Sequence, residues 1–110
     1  MRTAAECVHE ALVNKANVPV DDRFQIVQPI DQELLFAHPT YGGVTRSEDL
    51  IIIEIVLNAG RSIDVKKELY AEIAARLADA LDLRPDDVLI TLVEVTKENW
   101  SFGGGRATYA

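Results

Sequence analysis

The sequence predicts one small α+β domain made of a βαβ repeat: a small mixed sheet of four strands or fewer, two helices on one face, and the first strand missing. Three observations predict it. The 110 residues suit a single domain, and 48% apolar with 26% charged residues is a composition that can bury one core. Two helix–turn–strand units share the same turn chemistry, Val18-Pro19-Val20-Asp21-Asp22 in the first and Leu83-Arg84-Pro85-Asp86-Asp87 in the second. Between them lies a nearly continuous Ile/Leu/Val run over residues 49–57, the pattern of a strand covered on both faces.

The elements follow in order. Residues 3–16 read as a helix, with Ala4, Val8, Ala11 and Leu12 on one face and Cys7 beside it, stopped by Asn17 and Pro19. Arg23–Gln28 alternates, Phe24 and Ile26 to one side and Arg23, Gln25 and Val27 to the other, and predicts a strand that Pro29 ends. Leu34-Leu35-Phe36 predicts a second short strand, and Pro39 to Arg46, with Gly42-Gly43, a loop. After the strand at 49–57, Ser62 is a good N-cap, with Asp64 in the first turn of the helix it opens. Val65, Leu69, Ile73 and Leu77 recur every four residues, so this helix packs one stripe on a sheet until Pro85 enforces a break. Val88–Val95 is a further apolar strand. Gly103-Gly104-Gly105 predicts a tight turn, after which Arg106–Tyr109 returns as a short strand.

The two units differ at their front ends. Arg61 to Asp87 spans 26 positions, whereas Met1 to Asp22 spans 21, so the first unit is short by more than a helical turn and by its leading strand. A parallel βαβ unit needs both strands side by side. The expected result is an exposed sheet edge or a gap beside the most hydrophobic strand, which is an association liability.

Charge and composition exclude several classes. A net charge of −7 gives no electrostatic footprint for nucleic acid or an anionic membrane. The longest greasy run, Leu50–Leu57, contains Glu54 and is far short of the ~20 residues that span a bilayer. A lone cysteine, Cys7, allows no intrachain disulfide and suits a reducing cytoplasmic location; among Ala4, Ala5, Val8 and Ala11 it reads as a small buried hydrophobe. His9 and Glu10 begin a His-Glu-x-x-His pattern, but Val13 stands in the last place, so no zinc site is expected and His9 reads as a helix-surface or interface group. No metal ligand set is recognisable.

Pro19-Val20-Asp21-Asp22-Arg23-Phe24-Gln25, Asn58-Ala59-Gly60-Arg61-Ser62, Asp86-Asp87-Val88 and above all Trp100-Ser101-Phe102-Gly103-Gly104-Gly105-Arg106-Ala107 together carry a resemblance. The chain resembles the tautomerase superfamily, in its malonate semialdehyde decarboxylase-like branch. That resemblance implies a cofactor-free keto–enol isomerase, or related decarboxylase, acting on a small oxo carboxylic acid, and a homo-oligomer, most simply a trimer. Arg61 matches the carboxylate-binding arginine, Asp22 the aspartate that assists at the carbonyl or at water, and Trp100 and Phe102 the aromatic wall of the pocket. A second arginine found in some decarboxylating members would fall at Ala59. The N-terminal proline that serves the family as base has no counterpart here, since the chain reads Met1-Arg2-Thr3.

Each residue also has a plainer reading. Arg61 is at once a candidate anion site, at a strand exit next to a helix N-terminus, and an ordinary exposed arginine. Asp22 suits a solvated turn, and Trp100 and Phe102 suit a core or an interface. The alternative function is a non-catalytic oligomeric protein that binds small acids without the proline base.

Overall fold

The computed structural model describes residues 1–109. Four main elements appear in the order α1 (Arg2–Lys15), β1 (Ile51–Asn58), α2 (Ile63–Leu81) and β2 (Val88–Val95), with 3₁₀ turns at Gln32–Leu34, Pro85–Asp87 and Lys97–Asn99. β1 and β2 pair in parallel, Ile51 opposite Val88 through Asn58 opposite Val95, with α2 as the crossover.

One face of the sheet carries the core. Ile51, Ile53, Ile55 and Leu57 of β1 alternate toward the helices, as do Val88, Ile90 and Leu92 of β2. Cys7, Val8 and Ala11 of α1 and Leu69, Ile73 and Leu77 of α2 close over them. The periodic stripe of the second helix is therefore its buried face, and Ser62 caps it by accepting a hydrogen bond from the Val65 N–H. Both helices end on a left-handed residue, Asn17 at φ 57° and Asp82 at φ 56°. In each the chain then turns back to bond a carbonyl of the last turn, Val18 to Leu12 and Leu83 to Leu77, so the internal repeat is real at the level of helix termination. Arg76 joins the two helices by pairing with Glu10 of α1 and Glu72 of its own helix.

The α+β architecture with two helices on one face of a small sheet is present, and the sheet is two-stranded and parallel instead of mixed. Arg23–Gln28 is extended but belongs to no ladder, Leu34 closes a 3₁₀ turn, and residues 106–109 form turns, so none of these three predicted strands forms. The cause is shared. An alternating segment becomes a strand only where a neighbour's N–H and C=O groups meet its own, and these segments have no such neighbour.

The second departure concerns β1, which is covered on one face only. Its other face leaves Ile52 53% and Val56 45% exposed, with Glu54 between them and Val93 of β2 alongside. Exposure continues along the arm that links α1 to β1, where Phe24, Ile26, Phe36 and Tyr41 are all largely solvent-accessible. The radius of gyration, 15.2 Å, exceeds the roughly 13 Å of a compact domain this long.

The arm is fastened at its far end by the second unit's aspartate pair. Asp87, 1% exposed, accepts hydrogen bonds from the N–H and the Oγ of Ser47, each at 2.6 Å, and Asp86 accepts from the Thr45 N–H at 3.0 Å. These donors, first the Ser47 hydroxyl and then its N–H, hold the Asp87 carboxyl below its ordinary range. A depressed carboxyl contributes stability that is present above its unfolded value and lost as pH falls through its lower folded value. The urea midpoint should therefore fall on acidification below about pH 4, and Asp87→Asn should flatten that limb. In the core, Ile73 is fully buried, and Ile73→Ala should cost about 3 kcal/mol in a urea titration.

Candidate functional site

Three of the four candidate residues, Arg61, Trp100 and Phe102, lie near the carboxyl ends of the two strands. β1 ends at Asn58, and Gly60 at φ 127°, a backbone region open to glycine, turns the chain into α2. The Ala59 N–H donates to the Val95 carbonyl at 2.8 Å, which fastens this turn to the end of β2. Arg61, half-buried, reaches back from the turn. Its Nε donates to the Ala16 carbonyl at 2.8 Å and its Nη1 to the Asn58 carbonyl at 3.0 Å.

Ala16 caps α1, so its carbonyl is among those a helix leaves unpaired, and a cation there faces the negative end of the helix dipole. The same guanidinium thus joins three chain ends: that of α1, that of β1 and the start of α2. A guanidinium has five N–H donors; two are engaged here, leaving three. Among the described residues no carboxylate lies within ion-pair distance of Arg61, although six such pairs occur elsewhere.

Beside Arg61 stands an aromatic cluster. The Trp100 indole Nε1 donates to Asn58 Oδ1 at 2.7 Å. Its ring stacks on Phe102 at 5.3 Å between centroids and 5° between planes. Phe102 also stacks with Phe24 at 5.6 Å and meets the Tyr109 ring edge-on at 5.6 Å. The tail is held in place by Thr108, whose N–H donates to the Trp100 carbonyl and whose Oγ1 accepts from the Phe102 N–H. The tail's own hollow is lined by Phe102, Gly103, Arg106, Ala107 and Thr108.

Phe24 arrives there because α1 grips the strandless segment along its length. His9 Nε2 donates to the Val20 carbonyl at 2.9 Å, Arg23 pairs with Glu6 at 2.9 Å, and Gln25 Nε2 donates to the Ala5 carbonyl at 2.9 Å. Partner numbers fall along α1 as they rise along the segment, so the two run antiparallel. His9 is accordingly a buried residue, 6% exposed, and not the surface or interface group its place suggested; the Val20 carbonyl, beyond the end of α1, satisfies it. Cys7 is buried as expected, and burial, the leading cause, raises its thiol pKa and disfavours the thiolate.

Arg61, Trp100 and Phe102 therefore belong to one connected cluster. Asp22 does not join it by contact: it is exposed, its N–H closes the turn onto the Pro19 carbonyl, and it lies two residues before Phe24. The members that residue reading gave no role are Asn58, Phe24 and Tyr109. In the sequence, Asn58 is a polar residue ending a greasy strand, Phe24 lies in an alternating segment, and no local signal puts Tyr109 beside Phe102.

Comparison with known proteins meets this geometry. A family profile described as tautomerase enzyme matches residues 22–103. The chain belongs to the tautomerase family. The chain is 36% identical over 107 residues to the probable tautomerase YusQ of Bacillus subtilis (strain 168), covering 97% of this chain and 84% of that protein. Among solved structures it is similar to an FG41 malonate semialdehyde decarboxylase inhibited by 3-bromopropiolate, with a TM-score of 0.90 and 37% identity over 98% of this chain and 82% of the other. A second malonate semialdehyde decarboxylase, described with decarboxylase and hydratase activities, gives a TM-score of 0.88 and 30% identity over 96% and 81% of the two chains.

Arg61 has a structural duty that can be separated from any chemical one. Lysine carries one ammonium and cannot reach two carbonyls with fixed geometry. Arg61→Lys should leave the Ala16 or the Asn58 carbonyl unpaired and cost on the order of 1–2 kcal/mol, read as a lower urea midpoint with unchanged slope.

Proposed function

We propose that this tautomerase-family protein binds a small 2-oxo or 3-oxo carboxylic acid through Arg61 and acts as a keto–enol isomerase or a related decarboxylase. The observation that carries the reading is the state of Arg61: locked by two carbonyls, free of any acidic partner among the described residues, and left with three N–H donors beside an aromatic wall. A fixed guanidinium with spare donors suits a carboxylate, and prior immobilisation lowers the ordering cost of binding. In a chain of net charge −7, this partnerless cation is a local attractor for anions. Trp100 and Phe102 exclude water at one side, and Asp22, in the turn ahead of Phe24, assists at the carbonyl or at water.

Keto–enol exchange requires a base that removes a proton from the carbon next to the carbonyl and a donor that returns one to oxygen. The alternative reading is an acid-binding protein without turnover. In either reading a homo-oligomer, most simply a trimer, covers the open sheet face that exposes Ile52 and Val56, and the protein works in the cytoplasm.

The test uses the chain's single tryptophan as reporter. Titration with 2-oxobutanoate should change Trp100 emission saturably, and Arg61→Ala should weaken binding at least tenfold at a temperature where the variant is folded. Equal binding by the variant would remove the carboxylate assignment. An enol-to-keto assay on the same protein separates the readings: a rate above buffer supports the isomerase, and binding without a rate supports the acid-binding protein.

A further inference from the structure

The geometry points to Asn58 as a second ligand-contacting residue of the same site, donating a hydrogen bond from Nδ2 to the oxo oxygen of an acid whose carboxylate rests on Arg61. This rests on the carboxylate reading given above and adds the group that would distinguish an oxo acid from a plain one.

The argument starts at Trp100. An indole nitrogen only donates, so the amide atom 2.7 Å from Trp100 Nε1 must be the oxygen. The two ends of the Asn58 amide are thereby assigned, and Nδ2 is turned away from the indole with both of its N–H groups. Among the described residues no protein acceptor takes either one. Nor is Nδ2 sealed off: the described residues contain no buried side-chain nitrogen or oxygen without a partner, so this nitrogen is reachable from solvent. Asn58 also accepts Arg61 Nη1 on its main-chain carbonyl at 3.0 Å, which keeps the amide and the guanidinium in one rigid turn.

The result is a pair of fixed donor groups on one short stretch of chain, a guanidinium with three N–H and a carboxamide with two that no described protein acceptor takes. A 2-oxo acid presents acceptors of the matching kinds, a carboxylate and an adjacent carbonyl oxygen. As enol character develops the oxo oxygen gains negative charge, and a fixed N–H aimed at it binds more tightly. Trp100 acts on this donor indirectly, as the residue that holds the amide in its donating orientation.

The experiment compares 2-oxobutanoate with butanoate, which differ at the carbonyl, on the 110-residue protein. Affinities are measured calorimetrically, and the single indole N–H resonance reports the Trp100 contact. Wild type should prefer the oxo acid by roughly fivefold to tenfold, the worth of about one hydrogen bond. Asn58→Ala should bring that ratio close to one while butanoate still binds in an Arg61-dependent way. Asn58→Asp supplies a second variant that retains an acceptor for the indole: its resonance should stay in place while the preference for the oxo acid disappears. Arg61-dependent binding with the oxo preference intact in both variants would overturn the role of Asn58 alone. Absence of Arg61-dependent binding for both acids would overturn the carboxylate reading and this inference with it.

Discussion

The guanidinium of Arg61 sits where three independently formed pieces of the molecule finish or begin. Helix α1 stops at Ala16, strand β1 stops at Asn58, and α2 starts at Ser62; the two hydrogen bonds of one side chain fix these ends against each other. Neither carbonyl has a regular partner, because one lies past the last turn of a helix and the other at the end of a ladder. The arginine therefore answers a backbone need first, and its remaining donors are a by-product of that answer. Architecture and candidate chemistry share the residue, so a loss of stability and a loss of ligand have to be measured separately in any variant of it.

Much of this was legible in the sequence, and the boundary of what was legible is physical. The stripe of Leu69, Ile73 and Leu77, the Ser62 cap and the greasy strand at 51–58 are signals carried by a short stretch of sequence, and the fold respects them because burying such a face requires only some apolar partner, not a particular one. Arg23–Gln28 carried an equally clean alternation and forms no strand. Alternation states which side chains want to share a face; it does not supply the strand that would accept the backbone bonds. The site shows the same division. Arg61, Trp100 and Phe102 could be named one by one, whereas the bond from Trp100 to Asn58 spans 42 positions and the stacking of Phe24 on Phe102 spans more, contacts that only the fold makes.

The repeat shows how like sequences come to unlike uses. Asp86-Asp87 and Asp21-Asp22 follow their helices in the same way, yet Asp87 is sealed under Ser47 while Asp22 is exposed at a turn. The second pair has the entry to β1 as its neighbour and spends its lone pairs there. The first pair meets no such segment among the described residues. The same dipeptide thus fastens a loop in one unit and stays exposed in the other, according to which segment the fold brings to it.

The open sheet face carries one more consequence. Ile52 and Val56 invite a cover, but Glu54 stands between them on the same side of β1. Any surface that lies flat on that face must strip water from a carboxylate, a cost that a merely greasy partner cannot return. Only a partner that brings a cation or a fixed N–H to that spot, or that leaves a channel of water over it, can settle there. One acidic residue in an otherwise sticky strand thus works as a password, admitting a surface of matching shape and charge and turning away the indiscriminate contacts that exposed strands otherwise collect.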